Sequence, residues 1–277
     1  MTIRKMEEAD RASAQSMWIE IFEEDPAFAA YYFDNRFYPE HSFGAFEDGV
    51  LIAMALGRPT MIRAEGRDLP ALLVAGVSTR PQYRGRGLMH RLMTLLIDQA
   101  RQNGFVCCYL HPVSESLYRS LGFRNGTDIM KINSGSVHPN ASFRIEERTE
   151  FSDMLSIYRA AMRTHDGMQL RDLYEFRTVY ADYATDDAKT LIAYEQNEPI
   201  GYLIIGKSGS VYELLAQKKD AYEALLSEAA QRAEKPLHVL APIDCGIEGE
   251  RLYSMQYLVF DDAFRLPLKN GYCRLAY

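Results

Sequence analysis

The sequence has no uninterrupted apolar run of the roughly 18 residues that a membrane-spanning helix requires. Its first residues, MTIRKMEEAD, are too polar and acidic for a signal peptide, so we expect a cytoplasmic protein without a membrane partner. Basic residues are not in excess either: 31 Lys and Arg against 38 Asp and Glu give a formal net charge of −7. Because phosphate backbones attract basic surfaces, we expect no nucleic-acid partner, and a cationic or neutral substrate fits better.

Cysteine is also scarce. The four cysteines are Cys107, Cys108, Cys245 and Cys273, with no CxxC pair and no histidine arrangement of the kind that zinc requires. Cys107 and Cys108 lack an evident activating base, which argues against a nucleophilic role. The sequence therefore predicts reduced, buried thiols, no metal site and no covalent catalysis.

What is present indicates a folded protein of two domains. With 277 residues and 47% hydrophobic residues, the chain can build two cores of about the usual domain size. The segment NSGSVHPN, at 133–140, has the composition of a linker. On either side of it the pattern of elements has the same order, which indicates an internal duplication: strand, helices, three-strand meander, helix, strand.

In the first half, apolar spacing predicts a helix over 9–24, and an aromatic, loop-like stretch follows it. Turn signals at 47–49 and 65–68 separate three strands of a meander. A helix is then predicted over 87–102, followed by the strand GFVCCYLHP. Ser114 to Leu121 is predicted as a short helix that Gly122 ends in a left-handed conformation.

In the second half, FRIEE is predicted as the first strand, with helices over 150–163 and 169–183. The segment KTLIAYEQNEPIGYLIIGKSGSVYELLAQ predicts another three-strand meander. Asp220 is predicted to cap the next helix, and LHVLAP is predicted as the strand after it.

Between its meander and its long helix, the first half has QYRGRG, residues 82–87, which we call the glycine turn. Backbone N–H groups at a helix start lack partners within the helix, and together with the helix dipole they favour anionic oxygens. Glycine lets the backbone approach a phosphate closely because it has no Cβ. The turn suits a pyrophosphate, although a solvated basic turn would have the same composition. The second half has QKKD in this place, without glycine.

Two common nucleotide-binding motifs are absent from this region. GxxxxGK[ST] does not occur, and His90 stands where a dinucleotide-binding turn needs its third glycine. The segment VAGVSTRPQYRGRGLMHRLM is instead similar to motif A of the GNAT superfamily of acyl-CoA N-acyltransferases. The Q/RxxGxG/A signature of that motif is met by Gln82, Gly85 and Gly87.

A second segment extends this resemblance. In GNAT proteins the strand after the long helix is followed by a short helix that often bears a tyrosine near an aromatic-glycine end. SESLYRSLGF resembles it, with Tyr118 and Gly122-Phe123. The two segments occur in the order and at the separation found in the superfamily.

The pairing of one half that has the signature with one that lacks it resembles the enhanced intracellular survival (Eis) family of N-acetyltransferases, known for multi-site acetylation of aminoglycosides. This implies an α/β (α+β) fold of two tandem GNAT-like domains, each a mixed, mostly antiparallel sheet flanked by helices. The catalytic domain would be 1–135, and 141–277 would be a degenerate domain without the phosphate-binding turn. Eis proteins usually add a sterol-carrier-like third domain, and we expect none here, because NGYCRLAY stands where the second half would finish its last strand.

The resemblance implies acetyl-CoA as co-substrate and direct attack of an amine on its thioester. The edge of strand 77–79 would bind pantetheine by adding a strand, provided that it splays from its neighbour, and the glycine turn with the start of the helix would bind the pyrophosphate. The residues implied at the cofactor are Val77, Ser78, Thr79, Gln82, Arg84, Gly85, Arg86, Gly87, Leu88, Met89 and Ser114.

Tyr118 is the implied acid, because its phenol can protonate the departing thiolate. Eis proteins use the terminal carboxylate as the base, which would correspond to Tyr277 here. A buried carboxylate or a water chain would serve equally, so the base stays open.

For the substrate, Glu23, Glu24 and Asp25 precede an aromatic stretch, and carboxylates and aromatic faces both attract ammonium groups. The same residues would also suit a solvated helix face. The expected partner is a small aminoglycoside- or polyamine-like amine. A peptide or protein lysine, and an acyl-CoA sensor without turnover, stay as alternatives. A homo-oligomer is compatible with the sequence, which does not determine the oligomeric state.

Overall fold

The computed structural model describes residues 1–132 and 143–274, and these divide into two units. The first unit holds Met1–Ile62, Asp68–Asn125 and Met255–Leu266. The second holds Arg63–Arg67, Gly126–Ser254 and the residues from Pro267 onward. A segment from late in the sequence is thus part of the first unit. The predicted linker at 133–140 lies outside the described residues.

In the first unit five strands lie side by side in a sheet, and helices pack on both of its faces. Its helices are α1 (Arg11–Phe22), α2 (Pro26–Arg36) and α3 (Leu88–Gln102). Its strands are β1 (Thr2–Lys5), β2 (Phe43–Glu47), β3 (Val50–Ala64), β4 (Arg67–Thr79) and β5 (Cys107–Leu110), adjacent in that order. On the far side of β5, residues 256–259 pair with it antiparallel, with Gln256 opposite Leu110 and Val259 opposite Cys107.

The second unit repeats this order of elements. Its helices are α4 (Phe151–Ala161), α5 (Leu173–Tyr183) and α6 (Lys219–Arg232). Its strands are β6 (Arg124–Ile132), β7 (Arg144–Glu147), β8 (Lys189–Glu195), β9 (Glu198–Ile205), β10 (Ser210–Ala216), β11 (His238–Ala241) and the start of β12 (Gly249–Val259). Six of them lie side by side in the order β6-β11-β10-β9-β8-β7. Apart from the parallel pairs β4–β5 and β10–β11, the strand pairs with a determined register are antiparallel.

Alternating strand residues separate two cores in the first unit. One face of its sheet packs against α3 around Leu92 and Leu96, and the opposite face packs against α1 and α2 around Trp18 and Phe33. In the second unit, α6 packs against one face, and α4 and α5 pack against the other. Each sheet is therefore covered on both sides, which is the layered arrangement that apolar strands require.

The two predicted turns of the first meander are confirmed. Asp48 and Gly49 have φ of 51° and 81°, and Glu65 and Gly66 have φ of 48° and 71°. Two consecutive residues with positive φ form the tight turn whose twist matches that of the flanking strands. The sequence located these hairpins correctly.

Three local predictions were wrong. The aromatic stretch is the helix α2 and not a loop, because the Asp25 carboxylate accepts hydrogen bonds from the N–H groups of Ala27 and Phe28 and Pro26 occupies the first turn. Residues 114–121 form turns and a short 3₁₀ segment, although Gly122 does end it with φ of 93°. Asp220 lies within the first turn of α6 and does not cap it.

None of the helices in the described parts of the chain combines the length and the apolar character of a membrane span.

Candidate active site

Strands β4 and β5 separate part way along their length. Their parallel register joins Ala71 with Cys107, Leu72 with Cys108 and Leu73 with Tyr109, and it ends there. Strand β4 continues for six more residues to Thr79. The edge of β4 that faces β5 is therefore left without its neighbour over Val77, Ser78 and Thr79, the residues predicted to bind pantetheine.

Gly76 lies where β4 leaves its neighbour. Its φ is 56°, and a Cβ built at this position would lie 2.6 Å from the ring of Trp18. Both facts exclude any residue other than glycine at position 76. Positive φ inside a strand is strained for residues with a Cβ, and the indole of Trp18 fills the space that the Cβ would need. A left-handed glycine at this point bends β4 before the predicted pantetheine edge.

The glycine turn begins with a short 3₁₀ segment, Pro81–Tyr83. The N–H of Arg84 then donates to the carbonyl of Pro81 at 3.2 Å, and the Nε–H of Arg84 donates to the carbonyl of Thr79 at 3.2 Å. Gln82 is exposed at the start of the turn. The side chain of Arg84 thus ties the turn to the last residue of β4.

Both glycines of the turn are left-handed and open to solvent. Gly85 has φ of 77° and Gly87 has φ of 69°, and a Cβ at either position would meet no atom within 4 Å. Gly87 precedes α3, and no side chain caps this end of the helix. The first backbone bond of α3 runs from the N–H of Arg91 to the carbonyl of Gly87, so the N–H groups of Leu88 and Met89 precede it.

The cationic side chains of the turn are partly engaged. The Arg86 guanidinium lies 3.6 Å from the Glu47 carboxylate and 4.9 Å from the centre of the Tyr83 ring. Both contacts are at the exposed surface, where they hold the side chain loosely. The positive character of the site therefore comes mainly from the helix start and from Arg84.

Tyr118 belongs to the same apolar cluster as the start of α3. Leu88 is a buried member of this cluster, and Val77 and Met89 pack against it. The Tyr118 ring lies 5.9 Å from that of Phe123. Burial raises the pKa of the Tyr118 phenol to about 12, so the phenol keeps its proton at neutral pH.

Ser114 begins the segment that leads to Tyr118. It is exposed, and its hydroxyl lies 3.1 Å from that of Ser116. The N–H of Leu117 donates to the Ser114 carbonyl at 3.2 Å. The segment is therefore a series of tight turns and not a regular helix.

The three acidic residues predicted at the substrate lie at the junction of α1 and α2. Glu23 has φ of 53°, the Glu24 carboxylate accepts from the N–H of Asp25 at 3.1 Å, and Asp25 caps α2. The helices they join pack on the sheet face opposite to the Tyr118 cluster. The Oδ1 of Asp25 accepts both capping bonds, and Glu23 is exposed. Tyr277 lies outside the described residues.

Sequence reasoning missed two residues of this region. Gly76 had a signal, because an isolated glycine inside a strand pattern marks a bulge or a close approach. Gln256 had none, since its importance depends on a contact with residues more than a hundred positions away.

The described residues contain no cluster of three or more His, Cys, Asp or Glu side chains that could hold a metal ion. Burial raises the pKa of both Cys107 and Cys108, and the neighbouring Cys108 adds to the rise at Cys107. Both side chains therefore stay thiols, which are poor nucleophiles.

Residues 2–126 match the family model described as the acetyltransferase (GNAT) domain. This range contains β4, the glycine turn, α3 and Tyr118. No curated protein sequence matches the chain.

Solved structures resemble almost the whole chain. A conserved Enterococcus faecalis protein described as a probable N-acyltransferase is 18% identical with a TM-score of 0.76, over 94% of this chain and 72% of its own. A GCN5-related N-acetyltransferase from Anabaena variabilis is 15% identical with a TM-score of 0.73, over 93% and 72%. Eis1 from Mycobacterium abscessus is 18% identical with a TM-score of 0.69, over 94% and 74%. Residues 2–126 therefore resemble the acetyltransferase (GNAT) domain, and over almost its whole length the chain has the fold of these solved structures.

Proposed function

We propose that the chain transfers the acetyl group of acetyl-CoA to a primary amine of a small cationic substrate, by direct attack of the amine on the thioester. One observation carries this proposal: the separated edge of β4 leads through two left-handed glycines into the uncapped start of α3. An edge strand followed by a helix start offers hydrogen bonds to an extended amide arm and then to a diphosphate.

The start of α3 fits a diphosphate. The N–H groups of Leu88 and Met89 precede the first helical bond, and the space next to Gly85 and Gly87 is open where a side chain would otherwise stand. Arg84 adds a positive charge, and Gln82 lies at the start of the turn. Backbone donors and the helix dipole together favour a doubly charged anion at this point.

The separated edge of β4 fits pantetheine. Its amide groups can pair with the backbone of Val77 and Thr79 as an added strand would, since β5 no longer occupies that edge. Ser78 is buried and its hydroxyl donates to the carbonyl of Gly76 at 3.2 Å, so its role is to shape the strand. The arm would run toward the cluster that contains Tyr118.

Tyr118 supplies the proton for the leaving group. The amine nitrogen attacks the thioester carbon and releases one proton to solvent as the amide forms. The C–S bond breaks, and the thiolate sulfur takes a proton from the Tyr118 phenol, which solvent then reprotonates. The phenol is protonated throughout the neutral range because burial raises its pKa to about 12. We expect Ser114, at the start of the same segment, to contact acyl-CoA as well.

The substrate ammonium must lose a proton before it attacks. The α-carboxylate of Tyr277, a buried carboxylate or a water chain are the three candidates for this step. Glu23, Glu24 and Asp25 would attract the cationic substrate to the α1–α2 junction, where Asp25 also caps α2.

We assign catalysis to the domain over 1–135 and regard 141–277 as a degenerate domain. What supports this is the start of α6, which follows an extended Lys218 and not a left-handed glycine. The four buried free cysteines are compatible with a reducing cytoplasm. A homo-oligomer is compatible with the proposal but is not needed by it.

The test is calorimetric titration with acetyl-CoA. In Gly87→Ala the new Cβ would enter the open space next to the turn, so we expect the Kd to rise at least about tenfold, a loss of about 1.4 kcal/mol. Gly104→Ala is the matched control: Gly104 has φ of 79° and equally open surroundings at the other end of α3. Both variants should lose similar stability, about 1–2 kcal/mol from the left-handed backbone.

Acetyl transfer is then measured by thiol release with a panel of polyamines, aminoglycosides and lysine peptides. Small cationic amines should be the best acceptors. Equal affinity of Gly87→Ala and Gly104→Ala for acetyl-CoA, or no thiol release with any amine, would contradict the proposal.

A further inference from the structure

Gln256 lies on the strand that returns to the first unit from late in the sequence. It is 1% exposed and pairs opposite Leu110, the last residue of β5. Its Nε2 donates to the carbonyl of Glu115 at 3.0 Å and to the Oδ1 of Asn125 at 3.0 Å. One buried amide therefore binds the chain on both sides of Tyr118.

A second contact from the same strand supports the other end of the Tyr118 segment. A Cβ built on Gly122 would lie 3.1 Å from the Cδ1 of Leu258, so that side chain lies directly against the left-handed turn after Tyr118. Gln256 and Leu258 are two residues apart and therefore lie on the same face of the strand. Between them they hold the segment from Glu115 to Gly122.

The Oε1 of Gln256 is buried and has no hydrogen-bond partner among the described residues. A buried acceptor without a donor opposes folding, and leucine would fill the same space without that cost. Packing therefore does not explain the amide. What the amide adds is its two N–H donors, and these fix Glu115 and Asn125.

We propose that Gln256 is a positioning residue that sets the place of Tyr118 through the Glu115 carbonyl. The expected fall in kcat rests on the proposed function, whereas the expected displacement of Tyr118 does not. Without the Nε2 donor, the turns from Ser114 onward lose their tie to the strand, and the phenol moves relative to the start of α3. Small displacements of an acid reduce the rate steeply because proton transfer needs hydrogen-bond contact.

The kinetic test is a double-mutant cycle of Gln256→Leu and Tyr118→Phe, with thiol release as the readout. Gln256→Leu should lower kcat about 10- to 100-fold while the KM for acetyl-CoA changes less than about twofold. In the Tyr118→Phe background the same change should lower kcat less than about threefold, because the group it positions is already gone. Equal effects in both backgrounds would overturn the proposal.

The structural test does not depend on turnover. 3-Fluorotyrosine is incorporated at position 118 of the full chain, and its ¹⁹F resonance is compared between the parent and Gln256→Leu. We expect a shifted or broadened signal. Gln99→Leu is the control, since the Nε2 of Gln99 also donates to a backbone carbonyl, that of Glu40 at 2.9 Å, at the other end of α3; its signal should match the parent.

An unchanged ¹⁹F signal in a folded Gln256→Leu protein would overturn the positioning role, whatever the activity. A shifted signal in a protein that shows no acetyl transfer would uphold the positioning role and overturn the proposed function instead. The two failures are therefore distinguishable.

Discussion

Burial of the Tyr118 phenol sets the pH range over which this group can act as an acid. Burial raises its pKa to about 12, so it stays protonated far above neutral pH. The substrate ammonium, in contrast, must deprotonate to react. The rate should therefore rise with pH through the pKa of the amine and should not fall again where an ordinary tyrosine, with a pKa of about 10, would ionise.

We expect kcat/KM for the amine to show no descending limb up to at least about pH 11. Tyr118→Phe should lower kcat about 10²- to 10⁴-fold and leave the Kd for acetyl-CoA unchanged, because only the proton is lost. Tyr194→Phe, which removes a hydroxyl that donates to Asp153 in the second unit, is the control and should keep full activity. A descending limb centred near pH 10, or an unaffected rate in Tyr118→Phe, would contradict the assignment.

Among single residues, the sequence predicted those whose conformation depends on the residue itself and not on distant contacts. Gly85, Gly87 and Gly122 were assigned correctly to left-handed or open positions, because the missing Cβ is itself the physical cause. Asp25 stays a predicted substrate residue, but its role as the cap of α2 was not predicted. Its position directly before Pro26 was the available signal for a helix start.

Among the elements, α4 is tied at its end to the loop after β11 by a charged pair. The Nε2 of His165 lies 2.8 Å from the Oδ1 of Asp244, and its Nδ1 lies 2.9 Å from the carbonyl of Ala161. Both ring nitrogens face acceptors, which favours the imidazolium. Burial alone lowers the pKa of His165, but the bonds to Asp244 and Ala161 outweigh it and raise the pKa above its usual value. The same pair lowers the pKa of Asp244, chiefly through the hydrogen bond from His165.

This arrangement predicts the pH dependence of stability. The folded state binds the His165 proton more tightly than the unfolded state, so its contribution is complete below the unfolded pKa of about 6.5 and is lost as pH rises through the higher folded pKa. The Asp244 contribution has the opposite sign and is lost at acidic pH. The urea midpoint should therefore fall as pH rises above about 6.5, and this fall should shrink in His165→Asn. The exposed His238→Asn variant should keep it, and an identical pH dependence in all three proteins would contradict the assignment.

The elements that the sequence did not predict share a physical reason. Helices α3 and α6 and both meanders have clear apolar periodicity and were found. Strand β12 was missed because buried Ser254 and Gln256 interrupt its apolar pattern. Strand β6 was missed as well, since the asparagine, glycine and threonine near its start are typical of a turn.

For the whole molecule, the first unit depends on residues far along the chain. Residues 256–259 pair with β5, and Phe260 belongs to the cluster of α3 and Tyr118. No local pattern could predict this, because the pairing of Cys107 with Val259 joins positions distant in sequence. A domain boundary at the 133–140 linker would leave residues 255–266 out of the first unit.

A fragment of residues 1–135 should therefore be poorly soluble or inactive, since β5 would keep an open edge and the α3 cluster would lose Phe260. A fragment in which residues 255–266 are joined to it by a flexible linker should regain solubility. Solubility is followed by gel filtration and folding by circular dichroism. A fragment 1–135 that is folded and fully active would contradict this dependence.

The late position of this strand also matters during synthesis. The ribosome makes β5 about 150 residues before it makes the partner of β5, at a rate of some 5–20 residues per second. For most of that interval the nascent N-terminal part carries an incomplete sheet, so chaperones have time to bind it. The first unit can then complete its sheet only after residues 256–259 have left the exit tunnel.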